Sequence, residues 1–118
     1  MQCFKIGPDI ARQISDYESS FRLARLLRVE SGEVRVDIAY FGVGDHVGPH
    51  PAGLPQLFCV ISGDGWVQGD ESVETRITTG EAAFWRSGEQ HSARTDQGMT
   101  AIIIQALGLD PAAFLKNT

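Results

Sequence analysis

Along Val34-Arg35-Val36-Asp37-Ile38-Ala39-Tyr40, apolar residues alternate with polar or small ones, the two-residue period of a half-buried strand. Residues 21–29 read as a second extended segment, with Phe21, Leu23, Leu27 and Val29 on one side. Ser31-Gly32 between the two marks a hairpin turn. Residues 57–61 and 101–104 are apolar at both parities, so strands there need cover on both faces. In a barrel one face looks inward, and the outer face then needs a second sheet or a partner subunit. Shorter strands are expected around Trp66-Val67, 74–77, 82–85 and 91–95, with turns at Gly69-Asp70, Thr79-Gly80 and Ser87-Gly88. A long loop bearing glycine and proline is expected over 42–55. Asp110-Pro111 opens a short terminal helical turn, whereas 9–19 reads as loop or brief helix. About eight short strands without crossover helices predict an all-β sandwich or barrel.

The chain's 118 residues suit one domain, 1–118, with a core barrel over about 21–107. Ten basic and fifteen acidic residues give a formal net charge of −5, and no lysine- or arginine-rich run provides the footprint of a nucleic-acid binder. Arg22, Arg25 and Arg28 would align only on a helix, and on a strand they read as a solvated face. No apolar run reaches membrane-spanning length, and residues 1–5 show no signal-peptide pattern. Cys3 and Cys59 are too few for a disulfide framework, and Cys59 reads as a small buried thiol, so a cytoplasmic setting is the default expectation.

Two motifs resemble those of the cupin family. In the second, Gly80, Gly88 and His91 stand at family spacing, with Arg86 in place of a proline and Thr95 in place of an asparagine. The first ends at Gln56 and Gly63, with Gln56 where the family carries an acidic residue. Upstream, the family has two histidines one residue apart. One register puts His50 on the first of these and Ala52 on the second; a loop two residues longer puts His50 on the second and Gly48 on the first. Gly44, six residues before His50, leans toward the first register. The matching stretch, 44–106, covers about half the chain. The resemblance implies a double-stranded β-helix (jelly-roll) barrel. The wording of 50–58, 65–67 and 85–91 is similar to a bacterial subgroup of stand-alone cupins with no settled activity.

Residues 56, 58, 60 and 62 share one strand face, and the resemblance makes that face the barrel interior. It also gathers His50, Gln56 and His91 at one end of the cavity, with His46, four residues before His50, as a further candidate. Imidazole is the commonest divalent-metal ligand and an amide oxygen can complete such a site. The resemblance therefore implies a divalent ion (Zn, Mn, Fe or Ni) acting as a Lewis acid on a small organic molecule. Gln56 cancels none of the ion's charge, so the site is expected to be weak or to need an anionic substrate. Phe58, Trp66 and Trp85 are candidate pocket walls, and Gln105 ends its strand where it could face the cavity. The alternative is a metal-free binding or structural cupin in which the same residues only hydrogen-bond a ligand. Catalysis with His91 as general base lacks a partnered acid. No phosphate loop, nucleophile elbow or helix-turn-helix pair is present. The expected partners are a small molecule and a second copy of the chain, with neither nucleic acid nor membrane.

Overall fold

The computed structural model describes residues 1–29 and 31–117. Its strands are β1 (Arg12–Gln13), β2 (Arg22–Arg28), β3 (Val34–Phe41), β4 (His46–Pro51), β5 (Gln56–Gln68), β6 (Thr75–Thr78), β7 (Ala82–Trp85), β8 (Gln90–Arg94) and β9 (Met99–Ala106). All of their pairings are antiparallel, in the order β1-β2-β3-β9-β5-β8-β4, with β6 and β7 also on β5. The resulting curled antiparallel sheet is the all-β architecture expected. Single 3-10 turns lie at Pro8–Ile10, Asp16–Glu18 and Pro111–Ala113. None of the described helices is long and apolar enough to cross a membrane.

The curl depends on β5. Its first half pairs with β7 and β9, and its second half with β6 and β8. Between them the β5–β9 register shifts at Val60/Ser62, a local irregularity that bends a strand. Gly63 lies in the left-handed region at φ 79°, and an added Cβ would stand 2.3 Å from the Gly98 carbonyl oxygen. At Gly65 an added Cβ would meet the Arg94 carbonyl oxygen at 2.3 Å. The Gly63-Asp64-Gly65 stretch, which reads as a hairpin, is therefore the fold line of one long strand. The expected loop over 42–55 likewise contains β4.

Phe21, Ala39, Phe41, Phe58, Val60, Val67, Ile77, Trp85, Ala93, Met99, Ala101 and Ile103 form one core cluster between the two halves. On β3 the face carrying Asp37, Ala39 and Phe41 looks inward, because Asp37 pairs with Ile103 and Ala39 with Ala101. On β2 a bulge between Arg25 and Leu27 changes the parity. Leu23 and Arg25 share the inward face with Arg28, opposite Ala39, Asp37 and Arg35. Leu27 and Val29, expected on the side of Phe21 and Leu23, are instead exposed at 45% and 41%. An uninterrupted two-residue period cannot anticipate that extra residue.

Gly63→Ala combines a left-handed backbone with a backbone clash, so it should cost about 3 kcal/mol and lower Tm by roughly 10 °C. Gly53→Ala, at a position with open space around it, should leave Tm nearly unchanged. Thermal denaturation of both variants beside the parent checks the difference. Equal stability of all three would contradict the tight bend.

Candidate functional site

β4 and β8 bring two histidines face to face. Val47 pairs with Ala93 and His50 with His91, so β4 carries one extra residue between these pairs. The bulge keeps Val47 and His50 on the inward face and leaves His46 outside, opposite Arg94. His46 accordingly sits apart from the other candidate ligands. Its backbone N–H donates to the Ser20 hydroxyl at 3.0 Å, and its Nδ1 lies 3.2 Å from the same oxygen.

The His50 and His91 rings have centroids 4.2 Å apart and are tilted by 55°. His50 Nδ1 is 2.8 Å from the Gly48 carbonyl, which has no proton, so Nδ1–H donates. His91 is buried, and its Nδ1 has no hydrogen-bond partner among the described residues. Burial, and secondarily the neighbouring His50, pushes the His91 pKa down to about 4, so its ring is neutral at physiological pH.

A segment ahead of β2 is seated on this pair. The Tyr17 ring stacks on His50 with centroids 3.9 Å apart and planes 2° from parallel. Tyr17 and Glu18 both adopt left-handed backbone, at φ 57° and 59°. The Ser19 hydroxyl accepts the Gly48 N–H at 3.1 Å, and a Cβ at residue 48 would fall 1.7 Å from the Tyr17 carbonyl oxygen. Neither register open to the sequence therefore supplies a second imidazole on β4. Position 48 has no room for a side chain, and Ala52 is buried with its backbone tied to Gly88 and Glu89.

The floor and walls come from neighbouring strands. Gln56 on β5 pairs with Trp85 on one side and Gln105 on the other, and Phe58 pairs with Ile103. With His50 and His91, these residues line an inner chamber of about 120 Å³. His50, Gln56, His91, Phe58, Trp85 and Gln105 thus line one chamber. Trp66 does not join them; it lies between the Arg76 and Arg94 guanidiniums, at 5.3 and 5.1 Å.

Asp37 also lines the chamber and escaped the reading of the sequence. It is 2% exposed, with Oδ1 2.7 Å from Arg28 Nη1. The alternation along β3 singled out Val36 and Ile38, but the inward parity is that of Asp37, Ala39 and Phe41. The signal was Ala39 and Phe41 sharing parity with an acid. Asp45 and Asp70 act as turn residues, accepting the backbone N–H groups of Gly42 and Gln90.

As metal donors, His50 and His91 offer adjacent imidazoles, and the unpartnered buried nitrogen of His91 is a group that a ligand would satisfy. Gln56 adds an amide oxygen to the same chamber. The donor types fit a divalent ion, but the three carry no negative charge to offset it. Among the described residues, no group of three His, Cys, Asp or Glu side chains is placed to hold a metal.

The depressed His91 pKa links protonation to stability. Between the unfolded value, near 6.5, and about 4, the unfolded chain binds the extra proton. Stability from this residue is complete above about pH 6.5 and is lost as pH falls toward 4. The loss should be on the order of 2 kcal/mol in metal-free protein, and the corresponding slope should be absent in His91→Asn. Urea denaturation from pH 7 to 4 measures it; parallel curves for parent and variant would refute the buried neutral state.

No model of a known protein family matches the sequence, and no curated protein sequence does either. Solved structures do match. A Thermotoga maritima protein described as a predicted oxalate decarboxylase superposes with TM-score 0.75 at 19% identity, over 88% of this chain and 99% of its own. A Cupin 2 conserved barrel domain protein of Salinispora arenicola gives 0.73 at 13% identity, over 92% and 90%. A cupin-like protein of Thermotoga maritima gives 0.69 at 18% identity, over 88% and 77%. The curled sheet with its histidine-lined chamber is the cupin fold.

Proposed function

We propose that the protein binds a small organic molecule in the chamber, beside a divalent metal ion held by His50, His91 and Gln56. The observation that carries this reading is the pair of imidazoles 4.2 Å apart, one with a buried nitrogen lacking a partner among the described residues. A buried polar atom without a hydrogen bond costs about 1–3 kcal/mol, which a bound ion or ligand would relieve. When bound, the ion would supply Lewis acidity toward a ligand carbonyl or carboxylate. Trp85 and Phe58 exclude water on one side, and Gln105 offers a further hydrogen bond. The resemblance to a predicted oxalate decarboxylase is consistent with carboxylate chemistry in such a pocket, although a shared barrel does not fix an activity. The metal-free reading draws support from the absence of an unpaired acidic donor beside the two histidines, since Asp37 in the chamber is paired with Arg28: the imidazoles would then hydrogen-bond the ligand itself.

Elemental analysis of protein purified without a metal-affinity tag, followed by calorimetric titration with manganese or zinc, separates the two readings. On the metal reading, the His50→Ala/His91→Ala double variant should bind no metal while keeping its β-sheet circular dichroism. Gln56→Glu should bind about tenfold more tightly or better, because a unit charge ~4 Å from the ion is worth about 4 kcal/mol before the cost of burying the carboxylate. If Gln56→Glu binds no better and melts lower than the parent, the metal-free reading stands.

The partner we propose is a second copy of the chain. Leu57, Ile104, Val36 and Leu27 pair in one row across β5, β9, β3 and β2, and Cys59, Ile102, Ile38 and Ala24 in the next. These rows belong to the outer face, which also carries the exposed Ile61 and Phe84. Ala24, Ile38 and Leu57 are buried within the chain, and the exposed apolar part of this face, Leu27, Ile61 and Phe84, is what a second copy would cover. Sedimentation at micromolar concentration should give about twice the 12.9 kDa chain mass, and Ile61→Glu should shift it toward the monomer. A parent protein that sediments as a monomer would remove this surface from consideration.

A further inference from the structure

The inner chamber opens into an outer vestibule of about 490 Å³ whose walls hold Arg12, Arg25, Arg28 and Arg35. Two acids, Asp16 and Asp37, share that lining. Four positive and two negative side chains give 4 − 2 = +2 at the mouth, in a chain whose net charge is −5. The excess is not neutralised locally. Among the described residues, Arg28 forms an ion pair with Asp37, but Arg12, Arg25 and Arg35 form none. Of the arginines outside the pocket, 76, 86 and 94 have acidic partners, and Arg22 has none among the described residues. The bulge on β2 contributes directly, because the residue it inserts brings Arg28 onto the face of Arg25, opposite Arg35. Unpaired guanidiniums around a concave, partly desolvated surface focus a positive potential and offer paired N–H donors to an oxyanion.

We propose that the ligand is a small organic anion, with a carboxylate or phosphate group on Arg25 and Arg35 and a short uncharged head in the inner chamber. This deepens the small-molecule reading above and does not depend on the metal. Size sets the division: about 120 Å³ holds only a few non-hydrogen atoms, since water in the liquid occupies about 30 Å³. Chemistry sets it too. The chamber presents two imidazoles, the amides of Gln56 and Gln105, and Asp37 already paired with Arg28, a set that suits hydroxyl or carbonyl groups, whereas Arg12, Arg25 and Arg35 lie in the vestibule.

The test is calorimetric titration at low ionic strength in the presence of EDTA, with lactate and glycerol 3-phosphate as probes and lactamide and glycerol as their uncharged counterparts. At least one anion should bind in the low-millimolar range or tighter, while its uncharged counterpart does not bind. The preferred probe tells a carboxylate site from a phosphate site. Arg25→Gln/Arg35→Gln should weaken that binding at least tenfold, with each single change giving part of the loss. Arg76→Gln, on the outer surface, should leave it within twofold. Failure of both anions to bind, equal binding of the uncharged counterparts, or unchanged binding by the double variant would each overturn the proposal. Because EDTA removes divalent ions, anion binding can succeed where metal binding fails, and the converse.

Discussion

One strand has to serve two halves of a curled sheet, and β5 does so by bending at Gly63 and Gly65, where the Gly98 and Arg94 carbonyls come too close for any side chain. Everything in the pocket is placed from that bend. The first half of β5 sets Gln56 and Phe58 against β7 and β9, and the second half carries β8, which holds His91 opposite His50. With a straight β5 the two sets of side chains would line separate surfaces. The core cluster fills the concavity, with Met99, Ala101 and Val60 toward the bend and the polar row of Gln56 and Gln105 toward the mouth. Burial of those apolar side chains supplies the main driving force, and the glycines give it a direction.

Much of this was legible in the sequence because it rests on short-range signals. Two-residue periodicity located β2 and β3, an apolar run at both parities located β9, and the spacing of Gly80, Gly88 and His91 marked β8. His50, Gln56 and His91, gathered by the motif resemblance, line one chamber with Phe58, Trp85 and Gln105, which side-chain chemistry offered as pocket candidates. What escaped the reading shares one physical cause. His46, Leu27 and Arg28 all lie beside β-bulges, where a single inserted residue exchanges inside for outside, and composition alone does not mark such an insertion. Asp37 escaped for a related reason: β3 is apolar on both parities near its middle, so alternation by itself could not show which face looks inward. Trp66 lies past the fold line of β5, and its orientation depends on a bend that reads as a turn.

The electrostatics of the pocket run against those of the chain. In an acidic protein, Arg12, Arg25 and Arg35 gather at one opening with no ion pair among the described residues, and behind that opening the acid Asp37 is already paired with Arg28. In such an arrangement a cation entering alone would meet an unfavourable potential at the vestibule, and the one carboxylate lining the chamber, Asp37, is already paired with Arg28. An anion is drawn in first and changes the field that any cation then meets. Occupancy by the two would be mutually reinforcing, a reciprocal coupling in which each raises the affinity of the other by the same factor.

Gly48 also links two properties that need not have been linked. Its missing side chain leaves the space into which the Tyr17 carbonyl settles, and that contact holds the Tyr17 ring flat against His50. In one of the registers suggested by the resemblance, residue 48 is where a first histidine would stand. An imidazole there and a peptide packed onto the strand are mutually exclusive occupants of the same volume. The chain has one donor fewer on β4 and, in exchange, an N-terminal segment anchored over the remaining histidine. Within this architecture, donor count and access to the ring cannot vary independently, because the same few cubic ångströms decide both.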